Sequence, residues 1–196
     1  NNFLFLYQKM RILLIVFFIS IISSCDNAED VKPKIEMEIM REVNKYSVAF
    51  YNVENLFDTE DDPFTSDDEY TPLGEKEWDE ERYWNKIKNI GKVIKGIDSN
   101  LPLFFGLCEV ENEKVLMDLA SSKTLSKGDY GIVHYDSPDT RGIDVGFLYK
   151  KDYFKVLETE SLEVFFKSNP NVLTRDILYV KGILNEDAVH VFVNHW

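Results

Sequence analysis

A layered α/β fold is predicted by two features of the sequence. Strand-like and helix-like segments alternate at first, and a run of strand-like segments follows. The helix-like stretches carry their apolar residues on one face, as helices packed on a sheet do. The first strand is Tyr46 to Val53 (YSVAFYNV), dense in β-branched and aromatic residues. Asp79 to Ile97 places Tyr83, Ile87, Ile90, Ile94 and Ile97 on one side, and Asp79 is a fair N-cap. A second strand runs from Pro102 to Glu109. A short helix, Asn112 to Ala120, then turns Val115, Leu116 and Leu119 inward. Tyr130–Tyr135, Asp144–Tyr149, Phe154–Glu158, Leu162–Phe166, Asp176–Leu184 and Val189–Asn194 complete the strands.

The N-terminal part is of another kind. Lys9 and Arg11 precede a run, Ile12 to Ile22, that is apolar except for Ser20 and is followed by Ser23-Ser24-Cys25. That run is about half the ~20 residues a membrane-spanning helix needs, so it fits the apolar centre of a signal segment. The ending resembles the bacterial lipobox, whose cysteine receives the lipid. Met10 is then the expected start, residues 1–25 a signal peptide with lipidation at Cys25, and 26–45 a charged tether. The expected location is the cell envelope, lipid-anchored in the membrane. A plain signal peptide with a chance cysteine, or a buried strand, is the alternative. The acids after Cys25 fit a sorting signal or a solvated linker equally.

The chain carries 22 basic and 35 acidic residues, a net charge of −13. Without residues 1–24, which hold Lys9 and Arg11 but no acid, 20 basic stand against 35 acidic, a net of −15. Such a surface argues against a protein that coats nucleic acid non-specifically. A nuclease whose divalent metal supplies positive charge locally remains open. There are two cysteines; with Cys25 lipidated, Cys108 has no partner and reads as a small buried apolar residue.

Three segments could carry chemistry. Phe50-Tyr51-Asn52-Val53 ends the first strand with an Asn, which by itself only caps a turn as a rule. Gly106-Leu107-Cys108-Glu109-Val110 puts a carboxylate at the end of an apolar strand, where a rigid element fixes the direction of an oxygen that a hard cation prefers. As an isolated residue, Glu109 is equally the first solvated position after a core strand. Val191-Phe192-Val193-Asn194-His195 closes a strand on a histidine, the side chain best suited to moving protons near neutrality. In this order the segments resemble the endonuclease/exonuclease/phosphatase family, over residues 46–196.

That resemblance implies a DNase I-like four-layer α/β/β/α sandwich, of which 46–196 would be the N-terminal half. The family's Gly-Asp-x-Asn turn and C-terminal Asp-His pair do not occur, so the chain is expected to stop at its catalytic histidine. On that reading it is inactive alone and exposes an apolar sheet face. The resemblance also implies a metal-dependent phosphodiester hydrolase, endonuclease-like and acting on nucleic acid. Glu109 would hold Mg²⁺ (or Mn²⁺), Asn52 would orient the phosphate, and His195 would handle protons. Alternatives are a phospholipid or sphingolipid phosphodiesterase, a phosphatase of the same fold, or a lipid-anchored binding protein that has lost the chemistry. A monomer is expected.

Arg141, in Asp139-Thr140-Arg141-Gly142, fits either a fork onto a phosphate oxygen or a pair with Asp139 or Asp144. Arg175 raises the same question. Asp58–Glu69 sets acids at positions 1, 3, 5 and 12 of a calcium-loop frame, but Pro63 occupies the glycine position, so a solvated acidic loop is expected. His134, inside an apolar run, reads as structural.

Overall fold

The computed structural model describes residues 45–196. The signal-like run and Cys25 therefore lie outside the described residues. Among those described, no helix is long and apolar enough to cross a membrane. The fold is α/β with two sheets.

Strand β1 (Val48–Leu56) leads into helix α1 (Glu80–Ile97) and returns as β2 (Phe104–Val110), which pairs parallel to β1. A parallel return needs a crossover element, and α1 provides it. Asp79 caps α1 by accepting from the Arg82 N–H at 2.9 Å, as its position predicted. Helix α2 (Glu113–Ser121) follows β2, and the Asn112 side chain accepts from the Val115 N–H at 3.0 Å. β3 (Tyr130–His134) and β4 (Asp144–Lys150) finish a four-stranded sheet in the order β1-β2-β4-β3. β5 (Phe154–Leu162), β6 (Ile177–Leu184) and β7 (Asp187–Val193) form an antiparallel meander, the second sheet.

Alternation along the strands divides the core in two. One side of the first sheet joins the helices through Phe105, Leu107, Tyr83, Ile87, Leu116 and Leu119. The other side meets the second sheet through Phe104, Cys108, Phe147, Phe154, Val180 and Val193. Helices, sheet and sheet thus form three stacked layers. Gly106 permits close approach at this seam: a Cβ there would sit 3.0 Å from the Phe50 ring and 3.3 Å from Val193. That closeness brings the end of β7 against the middle of β2. Large apolar side chains also stay exposed, Val48 and Phe50 on β1 and Leu157 and Phe192 on the second sheet.

Two expectations need correction. Leu162–Phe166 is not a strand of its own; β5 runs on to Leu162, which pairs with Ile177, the first residue of β6. Residues 163–166 extend beyond that partner and have no ladder to join. The acidic segment 58–69 is not uniformly solvated either. Asp58 and nearby Asp67 are buried, and the Asp58 N–H donates to Glu111 Oε2 at 2.6 Å. Trp78 Nε1 donates to the Phe57 carbonyl at 3.0 Å, and Phe57 stacks on Tyr70, which folds this segment onto the domain.

Candidate active site

Asn52, Glu109 and His195 meet, although 143 positions separate the first from the last. Asn52 Nδ2 donates to Glu109 Oε1 at 2.8 Å and lies 3.5 Å from His195 Nε2. His195 Nε2 is 3.5 Å from the same Glu109 oxygen. The parallel pairing sets Asn52 beside Cys108, so the ends of β1 and β2 are level, and the tight seam at Gly106 carries the β7 terminus to them.

Local backbone irregularity aims these groups. The β1–β2 register shifts between Asn52 and Leu56, and the β2–β4 register shifts between Cys108 and Val110. At these bulges Glu54, Asn55 and Glu109 take positive φ, 62° at Glu109. A non-glycine residue in this region is uncommon and costs of order 1 kcal/mol or more, so it persists where the surroundings impose it. At Glu109 the bulge turns the carboxylate out of the ladder and toward Asn52. The Asn52 carbonyl oxygen is held in turn by the Glu54 N–H at 2.7 Å, which fixes the amide so that its NH₂ faces Glu109.

The electrostatics suit a site that handles a proton beside an anion. Burial lowers the His195 pKa below the usual imidazole range, and Arg175 pushes in the same direction against the opposing pull of Glu109. His195 is therefore neutral at neutral pH. Its Nδ1 is buried without a hydrogen-bond partner. Glu109 uses Oε1 for both contacts, so its second oxygen is the one available to a cation. One free carboxylate oxygen fits Mg²⁺, which keeps several waters and takes only one or two protein carboxylates.

The two arginines resolve differently. Arg141 pairs with Asp139, its Nε 3.2 Å from Oδ1. Arg175 reaches Asp139 Oδ2 at 3.0 Å and also donates to the His195 carbonyl at 3.2 Å. Asp139, a buried carboxylate, thus gathers both guanidiniums, and Arg175 ties the histidine backbone to that cluster. A cleft of about 150 Å³ beside it is lined by Phe166, Thr174, Arg175, Asn194, His195 and Trp196.

Sequence reasoning did not single out Lys86 or Tyr70. Lys86 donates to the Glu54 carbonyl, lies 5.6 Å above the Trp78 ring, and has its pKa lowered by burial while Glu54 and Glu109 oppose that. It stands three positions after buried Tyr83 on α1, a weak signal that it borders the packed face. Burial raises the pKa of the Tyr70 hydroxyl, and the carboxylates of Glu69 and Glu109 add to it while Lys76 opposes. Glu111, also unremarked, is pushed up to about 8 by burial, with Asp58, Asp67 and Asp62 adding to it.

The chain belongs to the endonuclease/exonuclease/phosphatase family, whose model matches residues 47–196. Among solved structures it is similar to ANGEL2, described as a 2′,3′-cyclic phosphatase, at 20% identity with a TM-score of 0.41. That match covers 55% of this chain and 30% of the other, so the chain spans about a third of that structure's length. No curated protein matches it.

Proposed function

We propose that this chain is the phosphate-binding part of a divalent-metal-dependent phosphodiester hydrolase, endonuclease-like and acting on nucleic acid. The observation that carries this reading is the convergence of Asn52 from β1, Glu109 from the end of β2 and His195 from just beyond β7, with Glu109 held at positive φ. Family membership supports it independently.

Glu109 would hold part of the shell of a Mg²⁺ (or Mn²⁺) ion, which when bound would supply Lewis-acid polarisation of a phosphoryl oxygen. Asn52 orients Glu109 and presents its amide to the phosphate. His195, neutral because burial and Arg175 disfavour its charged form, accepts a proton at Nε2. Arg175 is a positioning residue that holds the His195 backbone. Arg141, more exposed and also tethered to Asp139, is the guanidinium free to turn toward a phosphate oxygen. Lys86 adds positive potential beside Glu109.

A lipid phosphodiester is the second reading, favoured by the net charge of −13 and by the signal-like run ending at Cys25, which would anchor a monomer in the cell envelope. The test is Glu109→Gln in the intact protein, assayed on DNA, RNA and choline phospholipids across magnesium concentrations. Loss of turnover at every concentration supports the metal role, and the substrate that wild type cleaves decides between the readings. Normal turnover by the variant rules the role out.

A further inference from the structure

A second cluster lies at the end of β3 and the start of β4, where Asp144 pairs with Val110, the residue after Glu109. One donor atom from each of His134, Asp136 and Asp144 falls within 4.8 Å of the others. The His134 side chain is only 4% exposed, yet its Nε2 makes no hydrogen bond. That atom stands 3.3 Å from Asp144 Oδ2. The opposite oxygen, Asp144 Oδ1, is occupied: it accepts from the Ser137 N–H at 2.9 Å and from the Ser137 hydroxyl. One carboxylate oxygen is therefore pinned by hydrogen bonds while the other faces a buried nitrogen with no partner of its own.

We infer that His134, Asp136 and Asp144 form a binding site for a zinc-class divalent cation, separate from the Glu109 site. The separation of His134 Nε2 from Asp144 Oδ2 matches the edge of a tetrahedron with metal–ligand bonds near 2.05 Å, which is about 3.3 Å. Imidazole nitrogen with carboxylate oxygen is a donor set for Zn²⁺ and similar transition ions, whereas Mg²⁺ prefers oxygen alone. The Ser137 contacts orient Asp144 as outer hydrogen bonds orient a metal's carboxylate ligand. Asp136, whose side chain is 89% exposed and has a donor atom within 4.8 Å of the other two, is the ligand that swings in. Remaining positions open to a cavity of about 790 Å³ that Asp136, Ser137 and Asp144 help to line, so water completes the shell. A cation here would fasten the loop between β3 and β4, which carries Asp139 and through it Arg175.

The test uses the intact protein in a Glu109→Gln background, which separates this site from the proposed catalytic one. After stripping with EDTA, Zn²⁺ is titrated calorimetrically, and Co²⁺ serves as a spectroscopic probe of nitrogen ligation. The expected result is one equivalent of Zn²⁺ retained despite Glu109→Gln, with affinity reduced at least about tenfold by Asp136→Asn and about a hundredfold by His134→Gln. Circular dichroism establishes whether His134→Gln folds; if it does not, Asp136→Asn decides, because that side chain is exposed. Zinc bound equally well by both variants, bound only when Glu109 is present, or not bound by the folded protein would each overturn the assignment and leave a simple His–carboxylate pair.

Discussion

Replacing Asp139 with Asn leaves its shape but removes the charge that two guanidiniums share. Arg141 has the more exposed side chain, and its exposed pair contributes little, within about 1 kcal/mol. Arg175 is the costly partner: its side chain is 13% exposed, its Nε already lacks a hydrogen-bond partner, and Asp139 Oδ2 at 3.0 Å is the carboxylate that neutralises it. Removing one member of a buried pair strands the other charge and costs about 3–5 kcal/mol. The low end applies because Arg175 keeps its bond to the His195 carbonyl. A loss of about 3 kcal/mol corresponds to a fall in Tm of about 6–12 °C for a domain of this size.

The pH dependence gives a second reading of the same pair. Burial alone would raise the Asp139 pKa, but hydrogen bonds from Arg141 and Arg175 outweigh it and hold the carboxyl below the usual range. Stability from a depressed carboxylate is present above its unfolded pKa, near 4, and is lost as pH falls through the folded value. Thermal melts of wild type and Asp139→Asn should therefore differ fully at pH 7, begin to converge below about pH 4, and meet once pH has passed the depressed folded value. Adding Arg175→Gln to Asp139→Asn should recover about 2 kcal/mol, because the stranded charge goes with it. A Tm change within 2 °C, or strictly additive losses in the double variant, would refute the argument.

Two further outcomes follow from the same geometry. Arg175→Gln removes a charge that lowers the His195 pKa, so the imidazole should titrate at higher pH in the variant by proton NMR, and the acid limb of any activity profile should move up with it; an unchanged titration would contradict the coupling. Cys108 is fully buried, and burial pushes its thiol up to about 12, so it should resist thiol reagents in the native state and react on unfolding; rapid native labelling at Cys108 would show the seam between the sheets to be open.

The segments carrying the site were legible because their order and residue types are local features. Asn52, Glu109 and His195 each lie in or just beyond a strand whose alternation or apolar run is plain in the sequence. What brings them together was not legible. The positive φ at Glu109 belongs to a bulge in the pairing of β2 with β4, and a bulge is a property of two strands that no single segment displays. The closeness of β7 to β2 depends on Gly106 facing Val193 across the sheets. Arg175 could be noticed but not assigned, since its two partners, Asp139 and the His195 carbonyl, lie 36 and 20 positions away. The acidic stretch misled for a related reason: composition marks it as a solvated loop, whereas Phe57, Tyr70 and Trp78 fold it inward and bury Asp58 and Asp67.

Turnover by Asn52→Ala, His195→Ala and the double variant tests the common site most directly, measured in the intact protein on whichever phosphodiester it cleaves. Groups acting as one unit give non-additive losses, so each single change should lower kcat about 10²- to 10⁴-fold and the double change little further. Near-normal turnover in either single variant, or losses that multiply in the double variant, would mean that the two side chains do not serve one reacting phosphate.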